Sequence, residues 1–542
     1  MLGTLILAEI AENKGRFIDQ IINGIWSTCE ESWWGISATV PVGKDYAGLV
    51  DVTQPTVDLF AAETGTFLAW ADYFFGEKLE AVSPQIRKRI YNEVNYRLMT
   101  PLMNKRHGWM YGSSDGKGPN NWNPWICSNW INFVLLLEKD DTRRAQMIGK
   151  ALQIVDEFVR PYPQDGGCDE GPGYWNAAAA SLYDCVSMLN LASRNAFQYV
   201  YDDEKFRNMG RFIYRAQISE NYFLNFSDAD PNPGISATMV YRYGKDIHDK
   251  DMMDFGAWYR KPESDGRVGS FHYFRNFFAL FLQNEFLKAE QRLPLPKDVW
   301  LPDLQVMVAR DAAGTTNGFY LAAKGGKNNE SHNHNDVGGF VVFYDGQPLL
   351  IDVGRGTYTA KTFSSRRYEI WYNRSDYHNL PTINGITQSP GGNFQAGSVS
   401  YKKGNATVQF SLDIAKAYPA EAQVNGWQRT LTLDRGKGVQ WKEVVDLAKA
   451  ESVTEHLMTC YPGEVTKDGE LVIHYQTKDG KKIDFIVKYD PKQFRASVEK
   501  IKLEAEEDIG IKASWGDVIH RINLELLTPK KKDMYSFEIV KK

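Results

Sequence analysis

The chain has 542 residues, 43% of them hydrophobic and 24% charged, with a formal net charge of −5. That length exceeds one ordinary core and points to two or three domains, while the charge balance excludes an overall basic nucleic-acid binder. The five cysteines, at 29, 127, 168, 185 and 460, are scattered and form no CxxC pair, so neither a thiolate zinc site nor a dense disulfide framework is indicated.

The N-terminal stretch around Leu2–Glu12 has apolar residues at i, i+3 and i+4 and no basic leader, so it reads as an ordinary helix. No run is long enough to span a membrane. Ser83-Pro84 is an N-cap followed by proline at the first helical position, and Ile86, Ile90, Val94 and Leu98 then mark one face. Thr142 is a candidate cap for the next helix, whose core face runs from Met147 to Val159 and which stops at Pro161-Tyr-Pro163. Ala177–Ser193 and Phe274–Ala289 repeat the theme. Long loops rich in Gly, Asn, Trp and Tyr lie between, notably Tyr111–Trp130 and Pro161–Trp175. Loops that long in a compact helical domain are usually functional. Residues 1–290 are therefore expected to form an incomplete α/α toroid.

The first loop contains Asn120-Asn121-Trp122-Asn123-Pro-Trp125, carboxamides and indoles interleaved in a way that suits a polar, ring-shaped ligand. A structural loop whose asparagines satisfy backbone groups is the alternative. The second contains Asp169-Glu170-Gly-Pro-Gly-Tyr174-Trp175, in which glycines let a ligand approach the tyrosine.

Residues 291–302, Gln-Arg-Leu-Pro-Leu-Pro-Lys-Asp-Val-Trp-Leu-Pro, read as a proline-punctuated linker. Beyond it the hydrophobic period changes from 3.6 to 2. Gly318–Ala323, Ala406–Leu412, Gln428–Leu433, Leu471–Gln476, Ile483–Tyr489 and Tyr535–Val540 are expected strands, with turns at Asn384-Gly385, Gly404-Asn405, Arg435-Gly436 and Asp479-Gly480. Residues 303–542 are thus expected to form an antiparallel β-sandwich.

The stretch that organises this half is Asn329-Glu-Ser-His332-Asn-His334-Asn-Asp336, followed by a hairpin pattern over Phe340–Tyr344, Asp345-Gly346 and Pro348–Asp352. Arg366-Arg367-Tyr368 and Ser375-Asp-Tyr-His378-Asn379 come next. Three of the nine histidines fall here. If Ser331–Asn335 is extended, His332 and His334 point to the same side. Imidazoles with the Asp352 carboxylate suit a zinc ion, and one histidine can ligate while the other does chemistry. Polar loop residues with satisfied hydrogen bonds are the alternative.

Taken together, Asn-Asn-Trp-Asn, Glu-Gly-Pro-Gly-Tyr-Trp, His-Asn-His-Asn-Asp, Arg-Tyr-Glu-Ile-Trp and Tyr-His-Asn, in that order between about residues 100 and 390, resemble the heparinase II/III-like polysaccharide lyases. The resemblance implies a toroid followed by sandwich layers, β-elimination on a uronic-acid-containing glycan, and a periplasmic or secreted enzyme. By it, Tyr174 and His332 share the acid and base roles, and Asn121 or Asn123 neutralises the uronate carboxylate. Trp122, Trp125, Glu170, Arg366, Arg367 and Tyr368 would contact an anionic polysaccharide. His334, Asp352 and His378 would hold a structural zinc. Some members carry a histidine in the Asn-Trp loop, and this chain has none there.

Three other readings compete. A glycoside hydrolase needs two acids flanking the bond, and adjacent Asp169 and Glu170 tend to point apart. A zinc hydrolase would use His332, His334 and Asp352 with bound water. A non-catalytic glycan-binding protein would keep the aromatic loops without chemistry.

Overall fold

The structure, a computed structural model, describes residues 2–40, 48–112, 118–260, 271–476 and 480–542. Asp479 of the expected Asp479-Gly480 turn, and 113–117 within the Tyr111–Trp130 loop, lie outside the described residues. The chain divides into two compact units. The first comprises residues 1–162, 176–210 and 235–292, and the second comprises 163–175, 211–234 and 293–542. Two segments drawn from the helical half of the sequence therefore belong to the second unit.

The first unit is helical. Asp58 accepts from the Ala61 N–H at 3.0 Å and caps the long helix Leu59–Val82. Ser83 caps Pro84–Val94 in the expected way, and Ile86, Ile90, Val94 and Leu98 are all buried. That helix passes through a π-type segment, Asn95–Met99, where the Thr100 N–H reaches back to the Asn95 carbonyl. Pro101, which has no N–H to donate, follows at once. The cap of Asp141–Val159 is Asp140, not Thr142: its carboxylate accepts from the Arg143 N–H at 2.7 Å.

The expected Tyr111–Trp130 loop is shorter than the sequence pattern indicates, because a helix starts at Trp122 and runs to Leu137. Its residues Ile126, Trp130, Ile131, Phe133 and Val134 are fully buried, and it packs on Leu59–Val82, Asp141–Val159 and Ala179–Ala192. A helix surrounded by neighbours shows little amphipathic periodicity, so its Trp-Asn-rich opening reads as loop.

The second unit is built on antiparallel sheets. A five-stranded sheet pairs Asp298–Leu301, Val306–Arg310, Phe319–Lys324, Phe340–Tyr344 and Gln347–Leu350 in order. Its first strand corrects the linker reading of 291–302, since Val299 and Leu301 alternate inward while paired to Val306–Arg310. An eight-stranded sheet carries the other layer, centred on Val424–Asp434, Gly438–Leu447 and Lys532–Lys541. Phe319, Leu321, Phe340 and Val342 from the first sheet share one core with Phe410, Leu431, Trp441, Phe485 and Phe537 from the second. Along Val424–Asp434 buried residues alternate with less buried ones, the signature of a sheet packed on one face.

All six expected strands form. A further four-stranded sheet includes Phe494–Lys502, whose Arg, Glu and Lys side chains face outward and mask its period in the sequence. Arg429, fully buried in this unit, contacts Glu443 at 2.6 Å and Glu455 at 3.0 Å. It also donates to the carbonyls of Gly338 and Asn379, tying the sheet to the ends of the histidine segments.

Candidate active site

Four loops of the second unit supply the site. Gly171, with φ +85°, turns the chain where an added Cβ would lie 2.6 Å from Ala229 Cβ, and the short turn Pro172–Tyr174 then presents the tyrosine. His332 is not extended as expected. It sits in a turn at φ +53°, an uncommon conformation for a residue with a Cβ. Asp228 comes from the 211–234 segment and Tyr358 from the loop after Gln347–Leu350.

These side chains converge on one carboxylate. Asp228 is 2% exposed, and its Oδ2 lies 2.9 Å from His332 Nδ1 and accepts from the Tyr358 hydroxyl at 3.1 Å. Its Oδ1 lies 2.9 Å from His334 Nε2 and accepts from Arg367 Nη2 at 2.7 Å. The two histidines thus meet at Asp228, one on each oxygen, through the turn and not through strand pleating.

The Tyr174 ring stacks on His332 with centroids 4.6 Å apart, and its hydroxyl is 3.4 Å from Nδ1 and hydrogen-bonded to the Tyr358 hydroxyl. Glu170 Oε2 faces the other ring nitrogen of His332 at 3.5 Å. Phe363, 70% exposed, packs edge-on to Tyr358 and offers an aromatic face beside the site.

Electrostatics separates the groups. Burial pushes the Tyr174 phenol up, Asp228 and Glu170 add to the rise, and the Tyr358 hydrogen bond and Arg355 offset only part of it. Burial, Asp228 and Tyr174 push Tyr358 up in the same direction. Burial would also raise Asp228, but hydrogen bonds from His332 and His334 and the nearby Arg367 charge outweigh it, and its carboxyl is held well below the usual range. At neutral pH two protonated phenols therefore face the ionised Asp228 carboxylate.

Other expected ligand contacts are placed differently. Arg367 donates within the unit to Asn333 O, Thr362 O and Asp228, so it props the histidine loop. Arg366 is exposed and pairs with Glu369 at 2.8 Å. The Tyr368 hydroxyl accepts from Asn333 Nδ2 at 3.0 Å.

Asn121, Asn123, Trp122 and Trp125 belong to the helical unit. Asn123 cannot serve as a carboxylate donor: it is fully buried, with its amide donating to Met110 O at 3.0 Å and Ile154 O at 2.8 Å. Asn121 is buried where helix Trp122–Leu137 begins, and Trp122 is half-buried. Trp125 donates to Glu63 at 2.7 Å and stacks on His272.

Asp228 and Tyr358 were missed by sequence reasoning. Asp228 lies in a polar loop rich in Asp, Asn and Pro, and Tyr358 follows Gly354-Arg-Gly-Thr. The only signal was that each is a chemically capable residue in a glycine- or proline-rich loop.

The expected zinc set also converges. His334, Asp352 and His378 bring one donor atom each within 4.8 Å of one another. Among the described residues Nδ1 of His334 and Nε2 of His378 are buried with no hydrogen-bond partner, which leaves a lone pair on each imidazole for a cation. Asp228 receives the opposite nitrogen of His334, the outer carboxylate that commonly orients a ligating imidazole. Two imidazoles and a carboxylate fit zinc. Among the described residues His332 is not part of this group, so the set differs from the one that the zinc-hydrolase reading uses.

Residues 294–515 match the family described as Heparinase II/III-like, C-terminal. No curated protein sequence matches the chain. Among solved structures it is similar to heparinase III, with TM-score 0.66 and 13% identity over 98% of this chain and 75% of that one. It is similar to a mutant heparan sulfate lyase from Pedobacter heparinus, with TM-score 0.64 and 12% identity over 100% and 75% of the two chains. Chondroitin AC lyase from Streptomyces coelicolor A3, in complex with chondroitin sulphate, gives TM-score 0.52 and 10% identity over 100% and 73%. At these identities the likeness is one of fold. Residues 294–515 thus match the heparinase II/III-like C-terminal family, and the chain has the helical-then-antiparallel fold of those solved structures.

Proposed function

We propose that this protein is a polysaccharide lyase that cleaves a uronic-acid-containing glycan by β-elimination. The observation that carries the reading is the meeting of Tyr174 with His332 over Asp228 and Tyr358. Elimination requires a base for the C5 proton and an acid for the leaving O4, held close together and tuned apart.

On this reading His332 Nδ1–H donates to Asp228, which leaves Nε2 as the base. The C5–H bond breaks, its electron pair forms the C4=C5 double bond, and the C4–O4 bond breaks. Tyr174 gives its proton to O4 as that bond opens. A phenol is protonated at neutral pH and so carries the proton that the acid role requires. Asp228 and Glu170, one at each side of the imidazole, hold the positive charge that the ring gains. Tyr358, bonded to both Tyr174 and Asp228, holds the Tyr174 hydroxyl in place; after product leaves, His332 gives the C5 proton to water and the Tyr174 phenolate takes one from water, which resets both groups. Asn121 is the proposed amide for the uronate carboxylate, a role that rests on the sequence resemblance.

Zinc is proposed at His334, Asp352 and His378, where it would fix the two histidine segments. Acidic glycans of this kind lie outside the cytoplasm, and a periplasmic or secreted location is proposed with them. Among the described residues no helix is long and apolar enough to cross a membrane.

The test is ultraviolet absorbance of the unsaturated uronate product during incubation with heparan sulfate, hyaluronan, chondroitin and dermatan sulfates, and alginate. A rise with one polymer that disappears in Tyr174→Phe is the expected result. New reducing ends without absorbance would move the protein to the hydrolases.

A further inference from the structure

We propose that Lys324 is a positioning residue, holding the His332–His334 loop in its working conformation by pairing with the two carboxylates that bracket it. The inference rests on the lyase reading for the role of His332, but not for the geometry. Lys324 ends the strand Phe319–Lys324 and is only 2% exposed. Its backbone N–H donates to Gly339 O at 3.0 Å, and its carbonyl accepts from the Gly338 N–H at 2.9 Å. The loop that carries both histidines therefore leaves and re-enters the sheet at Lys324.

Inside that closed loop the ammonium reaches Glu330 Oε2 at 2.7 Å and Asp336 Oδ1 at 2.8 Å. Glu330 precedes His332 by two positions, and Asp336 follows His334 by two. Both carboxylates are buried, so one cation ties the two shoulders of the His-x-His turn to its base. The next residue along, Ser331, donates its N–H to Asp169 at 3.0 Å, which links the same loop to the segment bearing Glu170 and Tyr174.

Buried ion pairs contribute little net stability compared with apolar packing, so stability alone does not explain this one. The conformation of His332 does. A φ of +53° at a residue with a Cβ persists only where the surroundings over-determine it, and the Lys324 staple together with Asp228 supplies that constraint. With the staple removed, His332 relaxes and its nitrogen leaves the position from which it can reach the C5 proton.

The test compares Lys324→Met with the triple variant Lys324→Met, Glu330→Gln, Asp336→Asn, which removes the stranded buried charges and protects folding. Hydrogen exchange is followed over the loop and over Val424–Asp434 as a distant reference, and kcat and KM are measured on the polymer that the parent cleaves. In both variants loop amides should lose protection while the reference strand keeps it. The kcat value should fall about 100-fold with KM little changed, the scale expected for misplacing a catalytic group by an ångström. Parent-like loop exchange and kcat in the triple variant would overturn the proposal. A parent that cleaves no uronate polymer would refute the lyase reading, and the exchange result would then decide Lys324 by itself.

Discussion

Replacing Asp228 by asparagine is the sharpest single perturbation of this site. The side chain keeps its size, but one oxygen becomes an NH2 group. Each carboxylate oxygen now takes two donors: His334 Nε2 and Arg367 Nη2 at Oδ1, and His332 Nδ1 with the Tyr358 hydroxyl at Oδ2. Whichever oxygen is lost, an amide N–H would face two donors, and two hydrogen bonds disappear. Hydrogen bonds to charged groups contribute about 1.5–3 kcal/mol each, so a loss of roughly 3 kcal/mol or more follows. The chemical penalty is larger, because His332 loses the acceptor that fixes its tautomer, and acid–base contributions of this type run to about 10²–10⁴ in rate. Product absorbance on the cleaved polymer reads the rate, and a thermal melt reads the stability. An Asp228→Asn protein with parental rate and parental melting temperature would refute the assignment of this carboxylate as the hub.

Tyr358→Phe keeps the ring beside Phe363 and His332 but removes the hydroxyl between Tyr174 and Asp228; elimination should fall about 100-fold with a smaller effect on melting, and unchanged turnover would remove Tyr358 from the chemistry. His378→Ala should lose bound metal and melt at lower temperature, and unchanged metal content by elemental analysis would contradict the ligand set. His456 is pushed down to about 4 by burial, between Thr382 and Asn523. The folded protein therefore binds fewer protons than the unfolded chain between that value and the ordinary 6.5. Stability from this group is fully present above 6.5 and is lost as pH falls toward 4. His456→Gln should flatten that part of the acid-unfolding curve, and identical acid profiles would show that the group is not the one that titrates.

The sequence by itself determined a great deal here, because much of the fold is written locally. The change of hydrophobic period near residue 300 separates helical from antiparallel structure, and Asp345-Gly346 makes a tight hairpin with both residues at positive φ. The order of the Gly-Pro-Gly-Tyr and His-Asn-His-Asn motifs pointed to Tyr174 and His332, which the structure brings into contact. Composition also singled out His334, Asp352 and His378, since three histidines and a carboxylate within one segment are rare in a chain with nine histidines.

Only the tertiary structure decided what these residues do to one another. Asp228 is 104 positions from His332, in a loop whose polar residues look alike, and only folding across that distance makes one carboxylate the shared acceptor of two imidazoles, a guanidinium and a phenol. The same holds in the opposite direction for Asn123 and Arg367. Each carries the right functional group in the right motif, but the Asn123 amide, already donating to two carbonyls, has no N–H left for a substrate, and the Arg367 guanidinium is held by three protein oxygens. Residue type and spacing fix which chemistry is possible, whereas burial and hydrogen-bond accounting, which depend on the whole packed unit, fix which side chains remain available to perform it.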